Sequence, residues 1–291
     1  MDVAMGYLTG PVNTLADYQV EFNGFLMGPG TAYDLPPGCD FFDMAAIKTM
    51  DQQRVWADGS WSGPDFAGVL TPTLPMNAHA TQAVTLTDAL SALRGVLSPQ
   101  ATAGPLWVKL PGMVAQGIPA KVAKRSFPLG LEWYAGSASG AVQFRCPDPA
   151  WQSVPRILQL AASGAASSGL SFPLFQAVST VLDFGVTGLS SAAGTLTNAG
   201  NTPAFPYVVV TGPVSGFSIV IDGNTVTYTD TVAAGQTLTI DYRTGYATLT
   251  GGVDRTTRLS SRQFSAVTST SSVFFSAAAG VAAITIADLW R

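Results

Sequence analysis

The 291 residues leave room for one large or two ordinary domains, yet only 11% of them are charged while 47% are hydrophobic. A net charge of −4 with no block of Lys or Arg excludes the positive footprint that free or sequence-specific nucleic-acid binding needs. So weakly charged an exterior protects poorly against association, and apolar surface is expected to be shared between subunits of an obligate oligomer.

Glu21 and Glu132 are the only glutamates, and Lys48, Lys109, Lys121 and Lys124 the only lysines. Exposed helix faces are usually filled with these two residue types, so the chain reads as mainly β. The first basic residue is Lys48, so the expected signal-peptide n-region is missing and a soluble protein made in a cytoplasm is expected. The most apolar tract, Val273 to Ala287, is interrupted by Ser276, Gly280 and Thr285 and is too short for a membrane helix, so no membrane insertion is expected. Cys39 and Cys146 are too few for a disulfide framework; Cys146 follows Val142 and Phe144 at period 2 and is expected in a core.

In chain order, Arg54 to Ser62 comes first: the turn pair Asp58-Gly59 lies between two large aromatics, Trp56 and Trp61. Those rings either fold back on their own domain or project to anchor on a neighbouring subunit. Thr87-Asp88 then offers a helix N-cap, and Leu86, Leu90, Leu93 and Leu97 form a stripe of helical period closed by Pro99, so a helix lying on a sheet is expected. Strands follow at 105–110, 120–124, 131–134 and 141–146. From Ala161 to Gly169 the chain is all Ala, Ser and Gly, a connector, and 171–197 is poor in pattern with an irregular or helical stretch near Phe172–Leu182.

After Asn198, strands are expected at 207–211, 216–221, 225–229, 237–242, 246–250, 272–275 and 282–289. Leu238, Ile240 and Tyr242 share one face, and Arg243-Thr244-Gly245 supplies a hairpin turn. Strands at this spacing indicate an antiparallel sandwich. The resulting domains are 1–153, a connector at 154–172, and a sandwich at 173–291.

Residues that could carry chemistry are scattered. His79 is the only histidine and has no serine elbow near it in sequence; Gly59-Ser60-Trp61-Ser62-Gly63 puts a tryptophan where a nucleophile belongs. Cys39, His79 and Cys146 have no zinc-ligand spacing, and no nucleotide-binding glycine pattern is present. Asp183-Phe184-Gly185 lacks the rest of a kinase signature, and Asp222-Gly223-Asn224 reads as turn chemistry. No enzyme activity, metal or cofactor is expected.

One resemblance organises these segments. Ser62-Gly63-Pro64-Asp65-Phe66, the Thr87–Leu97 stretch, Leu106 to Gly112, Ala120 to Arg125, Gly140 to Cys146 and Asp148 to Ser153 occur in this order. Ser168 to Pro173, Asn198-Ala199-Gly200-Asn201-Thr202-Pro203, Thr211-Gly212-Pro213, Ala234-Gly235, Ile240-Asp241 and Trp290 follow. Together they resemble siphophage distal tail proteins, also called minor tail proteins of actinobacteriophages. The resemblance implies a barrel-like N-terminal β domain with one packed helix, closing with other copies into a hexameric ring, and a C-terminal antiparallel β-sandwich facing outward. It implies a virion protein of the tail tip, assembled in the host cytoplasm, joining the tail tube to the tip hub with DNA passing through. Its implied partners are its own copies, the tail tube protein, the hub or tail-associated protein and the tape measure protein. A long hairpin in that family reaches over the next subunit; here it falls on Arg54, Trp56, Asp58, Gly59, Trp61, Pro64 and Phe66, although this segment is poorer in arginine and glycine than the family's. Two alternatives remain open: a host-glycan or receptor reader using Tyr207, Tyr228, Tyr242, Tyr246 or Trp290, and a tail-tube subunit.

Overall fold

Residues 7–162 and 192–291 are described by the computed structural model, and they are mainly β, with 49% strand, 7% helix and one α-helix among the described residues. They divide into two units, Leu8–Val154 with Trp290–Arg291, and Tyr7 with Pro155–Leu289.

The first unit begins with β1 (Gln19–Phe22), turned into β2 (Phe25–Met27) by Asn23-Gly24, both at positive φ (51° and 80°). That pair matches the twist of a two-residue hairpin. Next come β3 (Tyr33–Asp34), then β4 (Ile47–Thr49), β5 (Gln52–Gln53), β6 (Ser60–Trp61) and β7 (Asp65–Ala67), which form a separate ribbon, then β8 (Thr73–His79). After α1 (Leu86–Val96) come β9 (Gly104–Lys109), β10 (Gln116–Ser126), β11 (Ser137–Arg145) and β12 (Trp151–Ser153). The main sheet runs β2-β1-β9-β10-β11-β8-β3, with β12 paired to β10. Gly28 N–H donates to Tyr33 O at 2.8 Å, so the two edges of the sheet meet and the barrel nearly closes. Closure needs a bend, and β10 supplies it. Its first half pairs with β9 and its second half with β11, with a bulge between Val122 and Lys124.

Inside this barrel lie Phe22, Leu74, Met76, Leu106, Ile118 and Phe144. Alternation along β8 puts Leu74, Met76 and Ala78 inward, and Val142, Phe144 and Cys146 point in as the sequence pattern requires. Burial pushes the Cys146 thiol up to about 12, so it behaves as a small hydrophobe; both cysteines are free. The helix covers the barrel with Ala89, Leu93 and Leu97. Its N-cap is Thr85 rather than Thr87, because the Thr85 hydroxyl is the one that accepts from Asp88 N–H. Tyr33 Oη donates to Ala89 O at 2.9 Å, and Arg125 Nη1 donates to Arg94 O and Leu97 O, satisfying the last carbonyls of the helix from the sheet.

The outer face of β1 is covered too. Glu21, 1% exposed, accepts from Val12 N–H and Asn13 N–H at 2.8 Å each and from Asn13 Nδ2 at 2.7 Å. Beside it, Gln19 accepts from Ala16 N–H and donates to Pro29 O. One of the chain's two glutamates is therefore a staple holding residues 12–13 against the sheet. Glu21→Ala leaves those donors unmatched and is expected to destabilise the first unit by about 2 kcal/mol, measured as a lower denaturant midpoint with unchanged slope. An unchanged midpoint means the staple contributes nothing.

The second unit is a sandwich of two antiparallel sheets. Its strands are β13 (Arg156–Ala161), β14 (Ala192–Thr197), β15 (Tyr207–Thr211), β16 (Val214–Ile221), β17 (Asn224–Val232), β18 (Thr237–Asp241), β19 (Tyr246–Leu249), β20 (Val253–Asp254), β21 (Leu259–Arg262), β22 (Thr270–Ala277) and β23 (Val281–Ile286). One sheet runs β13-β23-β15-β18-β19-β20 and the other β14-β22-β16-β17-β21. Between them lie Val208, Ile219, Leu238, Ile240, Phe275 and Ile284, all fully buried. Tyr242 joins Leu238 and Ile240 on the expected face. The β18–β19 turn is locked by Asp241, whose carboxylate accepts from Arg243 N–H at 2.8 Å and Thr244 Oγ1 at 2.9 Å.

Three expectations are corrected. Residues 156–161, expected within a connector, form β13, in register with β23 from Arg156–Ile286 to Ala161–Val281. Leu160 is buried while Ile157 stays exposed, as an edge strand allows. Leu131–Tyr134 is a 3-10 turn over Leu131–Ala135, ended by Gly136 at φ 76°, and not a strand. Ala192–Thr197, expected to lack pattern, pairs with β22 as β14. The rest of the Ala161–Gly169 tract from residue 163 onward, and the stretch near Phe172–Leu182, lie outside the described residues.

Candidate subunit interface

The ribbon formed by β4 to β7 is built as an arm. At its base Gly68 N–H donates to Ala46 O at 2.7 Å, and Ile47, Lys48 and Thr49 face Ala67, Phe66 and Asp65. Its outer half pairs Gln52 with Trp61 and Gln53 with Ser60. Between the halves the legs pinch together. Asp51 Oδ1 accepts from Gly63 N–H at 2.9 Å, and a Cβ on Gly63 would stand 2.2 Å from Met50 O, so only glycine fits there. At the tip Arg54 N–H donates to Gly59 O, and Gly59 at φ 90° follows Asp58 in the turn.

From Ala46 to Ala67 every residue is exposed except the half-buried Gly63. A lone two-stranded ribbon has no core of its own and is marginal in water. This one nevertheless carries Trp56 at 96% exposure, Trp61 at 65% and Phe66 at 53%, with Ile47, Met50 and Val55 also exposed. Arg54 lies over the Trp61 ring, its Cζ 4.7 Å from the centroid, while Pro64 stands exposed between Gly63 and Asp65. All seven residues singled out in the sequence thus stand on one arm, and neither tryptophan folds back into the core of its own unit. The structure extends the arm to Ile47 and Ala67. It also exposes a second apolar group that sequence reasoning missed, Leu129, Leu131 and Tyr134 at 80%, 84% and 93%, on the β10–β11 connection. The signal for that group was Gly130 and Gly136 bracketing an apolar run, a turn pattern misread as a strand.

Other candidates do not converge. His79 Nδ1 lies 3.4 Å from Asp34 Oδ2 at the β3–β8 pair. Among the described residues no group of three His, Cys, Asp or Glu side chains is placed to hold a metal, and no helix is long and apolar enough to cross a membrane. Of the aromatics considered for glycan reading, Tyr228 and Tyr242 are sandwich core, Trp290 packs against the core of the first unit, and Tyr246 is exposed.

No protein-family model matches the chain, and no curated protein matches it in sequence. Solved structures do match in fold. The Dit (gp 19.1) protein of phage SPP1, described as a paradigm of the hub adsorption apparatus in phages infecting Gram-positive hosts, is 10% identical with a TM-score of 0.62, over 95% of this chain and 100% of that one. The fold is that of SPP1 Dit. Chains of the phage P2 baseplate in its activated conformation, with Ca and with Sr, match at 8% identity and TM-score 0.50 over 92% of this chain and 97% of theirs. The likeness to Dit runs through both units rather than through one.

Proposed function

We propose that this protein is a structural subunit of a bacteriophage tail, and that its copies close through the first unit into a six-membered ring between the tail tube and the tail-tip hub. The observation that carries this reading is the arm, an exposed apolar ribbon on a chain with the fold of a phage hub protein. A ring needs two different surfaces on each copy, one that reaches and one that receives, and its contacts repeat until rotation closes them. Arg54, Trp56, Asp58, Gly59, Trp61, Pro64 and Phe66 are the reaching surface. With 11% charged residues and a net charge of −4, the lumen would pass DNA without gripping phosphate. The partners are then the tube protein above, the hub or tail-associated protein below and the tape measure protein in the lumen; the location is the virion tail tip after assembly in the host cytoplasm. No step in this role is catalytic.

Negative-stain imaging of the purified chain tests it. Closed rings of six are expected. Long tubes would make it a tail-tube subunit instead, and a stable monomer at micromolar concentration would end the ring proposal.

A further inference from the structure

The chain carries a net charge of −4, yet its β10–β11 hairpin is basic. Between Gln116 and Arg145, four cations stand against one carboxylate, Glu132. Arg125 is occupied at the end of α1, but Lys121, Lys124 and Arg145 lie on the outer face. Lys121 is directly opposite Arg145 across the ladder and Lys124 opposite Gln143, while Phe144 between them points inward. Like charges facing each other in this way destabilise a sheet. Among the described residues none of the three has an ion pair, and Lys121 Nζ donates only to Ala101 O at 2.6 Å. The carboxylates beside this sheet are engaged elsewhere: Asp40 accepts from Thr73 N–H on β8, and Glu132 lies back against Gly130.

The connection that joins the two strands is the apolar one, with Leu129, Leu131 and Tyr134 exposed. It stands at the far end of the sheet from the root of the arm. Ala80 N–H, just past β8, donates to Gly136 O at this connection, whereas the arm leaves at Gly68, close to the Leu70–Cys146 bridge beside Arg145. The seven residues of β8 separate those two ends by about 20 Å. Groups placed at opposite ends of one unit make a head-to-tail contact, the kind that a ring repeats.

We infer that the outer face of the β10–β11 hairpin, continued by Leu129, Leu131 and Tyr134, receives the arm of the next copy. This rests on the ring reading above and names the surface that reading leaves open. The arm matches it in charge as well as in apolar character. From Ala46 to Ala67 it carries three carboxylates, Asp51, Asp58 and Asp65, against Lys48 and Arg54, and Arg54 is drawn over its own Trp61. Extended from Ile47 to Asp58, it reaches at most about 35 Å, enough to cover a strand the length of β11, about 27 Å. One other apolar surface competes, a cleft of about 510 Å³ lined by Val12, Leu15, Met113 and Val114. Its single cation, Lys109, is already paired with Asp17 at 3.6 Å and has nothing to offer the carboxylates of the arm.

Sedimentation velocity of the full chain at low and high salt tests the contact. The parent is expected to form rings; a monomeric parent removes the ring reading and this inference with it. Lys124→Glu with Arg145→Glu is expected to weaken assembly at least about tenfold at low salt, an effect that fades in about 1 M sodium chloride. Adding Asp58→Lys and Asp65→Lys to that chain is expected to restore the rings. Leu131→Ser with Tyr134→Ser is expected to weaken assembly at least about tenfold at either salt. All six positions are exposed, so the fold is expected to survive, and thermal unfolding checks it. A parent that forms rings while either hairpin pair leaves them unchanged overturns the inference and spares the ring reading. Loss of rings that the reversed arm does not restore sets the hairpin against another surface and also overturns it. Duplex DNA that binds the parent and not the charge variant, with rings unchanged, assigns the three cations to nucleic acid instead.

Discussion

Replacing Trp56 and Trp61 together by Ser in the full chain is expected to turn rings into monomers while leaving both units folded. The two halves of this expectation come from one measurement, exposure. At 96% and 65% exposed, the two rings give the folded monomer little, and surface substitutions of this kind stay within about 0.5 kcal/mol. In an interface the same rings become anchors, and a buried Trp is worth about 2–4 kcal/mol on truncation, roughly 30- to 1,000-fold in affinity for each contact. The Arg54–Trp61 stack adds stiffness to the arm before it docks, so less freedom is lost on binding. Sedimentation velocity reports the assembly and thermal unfolding reports the fold. A double variant that still forms rings places the contact elsewhere, with Leu129, Leu131 and Tyr134 as the next surface to alter. A variant that unfolds shows the arm to be part of its own unit's core.

What could be read in the sequence follows from which side chains have one buried face. In the second unit each central strand has a core side and a wet side, so period 2 stands out and Tyr207–Thr211 or Thr237–Asp241 is located almost to the residue. The edge strands were missed because only one of their residues is well buried, Leu160 in β13 and Leu196 in β14. In β10, Gly117 and Pro119 conceal the first half of the strand. Pro119 faces Pro105 across the ladder, which tolerates two residues without N–H at one pair because facing positions alternate between bonded and unbonded. Gly117 is required because a Cβ there would stand 2.6 Å from the Trp107 ring laid across it. The arm was visible through Asp58-Gly59 and its flanking tryptophans, but its length was not. Ile47 and Phe66 look like core residues in a linear sequence, and only the fold shows that they stand in solvent. The pairing of Asp230 with Arg255 and Arg258 had no linear signal, since β17 and the turn after β20 meet only in the fold.

Gly200→Ala is expected to destabilise the second unit by at least about 3 kcal/mol. A Cβ on Gly200 would lie 1.8 Å from Leu289 O, 2.5 Å from Leu289 C and 2.7 Å from Leu289 N, all backbone atoms that cannot rotate away. The neighbourhood cannot slide either. Asn198, 5% exposed, donates through Nδ2 to Thr202 O at 2.8 Å and Val267 O at 2.9 Å, while its Oδ1 accepts from Gly200 N–H at 3.0 Å and Leu289 N–H at 3.2 Å. One amide thus ties the Asn198–Pro203 segment to Val267 and Leu289, both distant in sequence, and this explains why Asn and Gly occupy those positions two residues apart. Asn198→Ala removes a partner from four backbone groups and is expected to destabilise by about 3–4 kcal/mol. The control is Gly95→Ala, in α1 with nothing within 4 Å of the added methyl, which should stabilise the first unit by roughly 0.5–1 kcal/mol because a helix interior favours Ala. Calorimetric scans of the three variants separate the effects, with each unit's transition followed in turn. Should Gly200→Ala melt together with the parent protein, the close approach of the Leu289 backbone is not a constraint on this fold, and the Asn198–Pro203 segment has some other reason for its sequence.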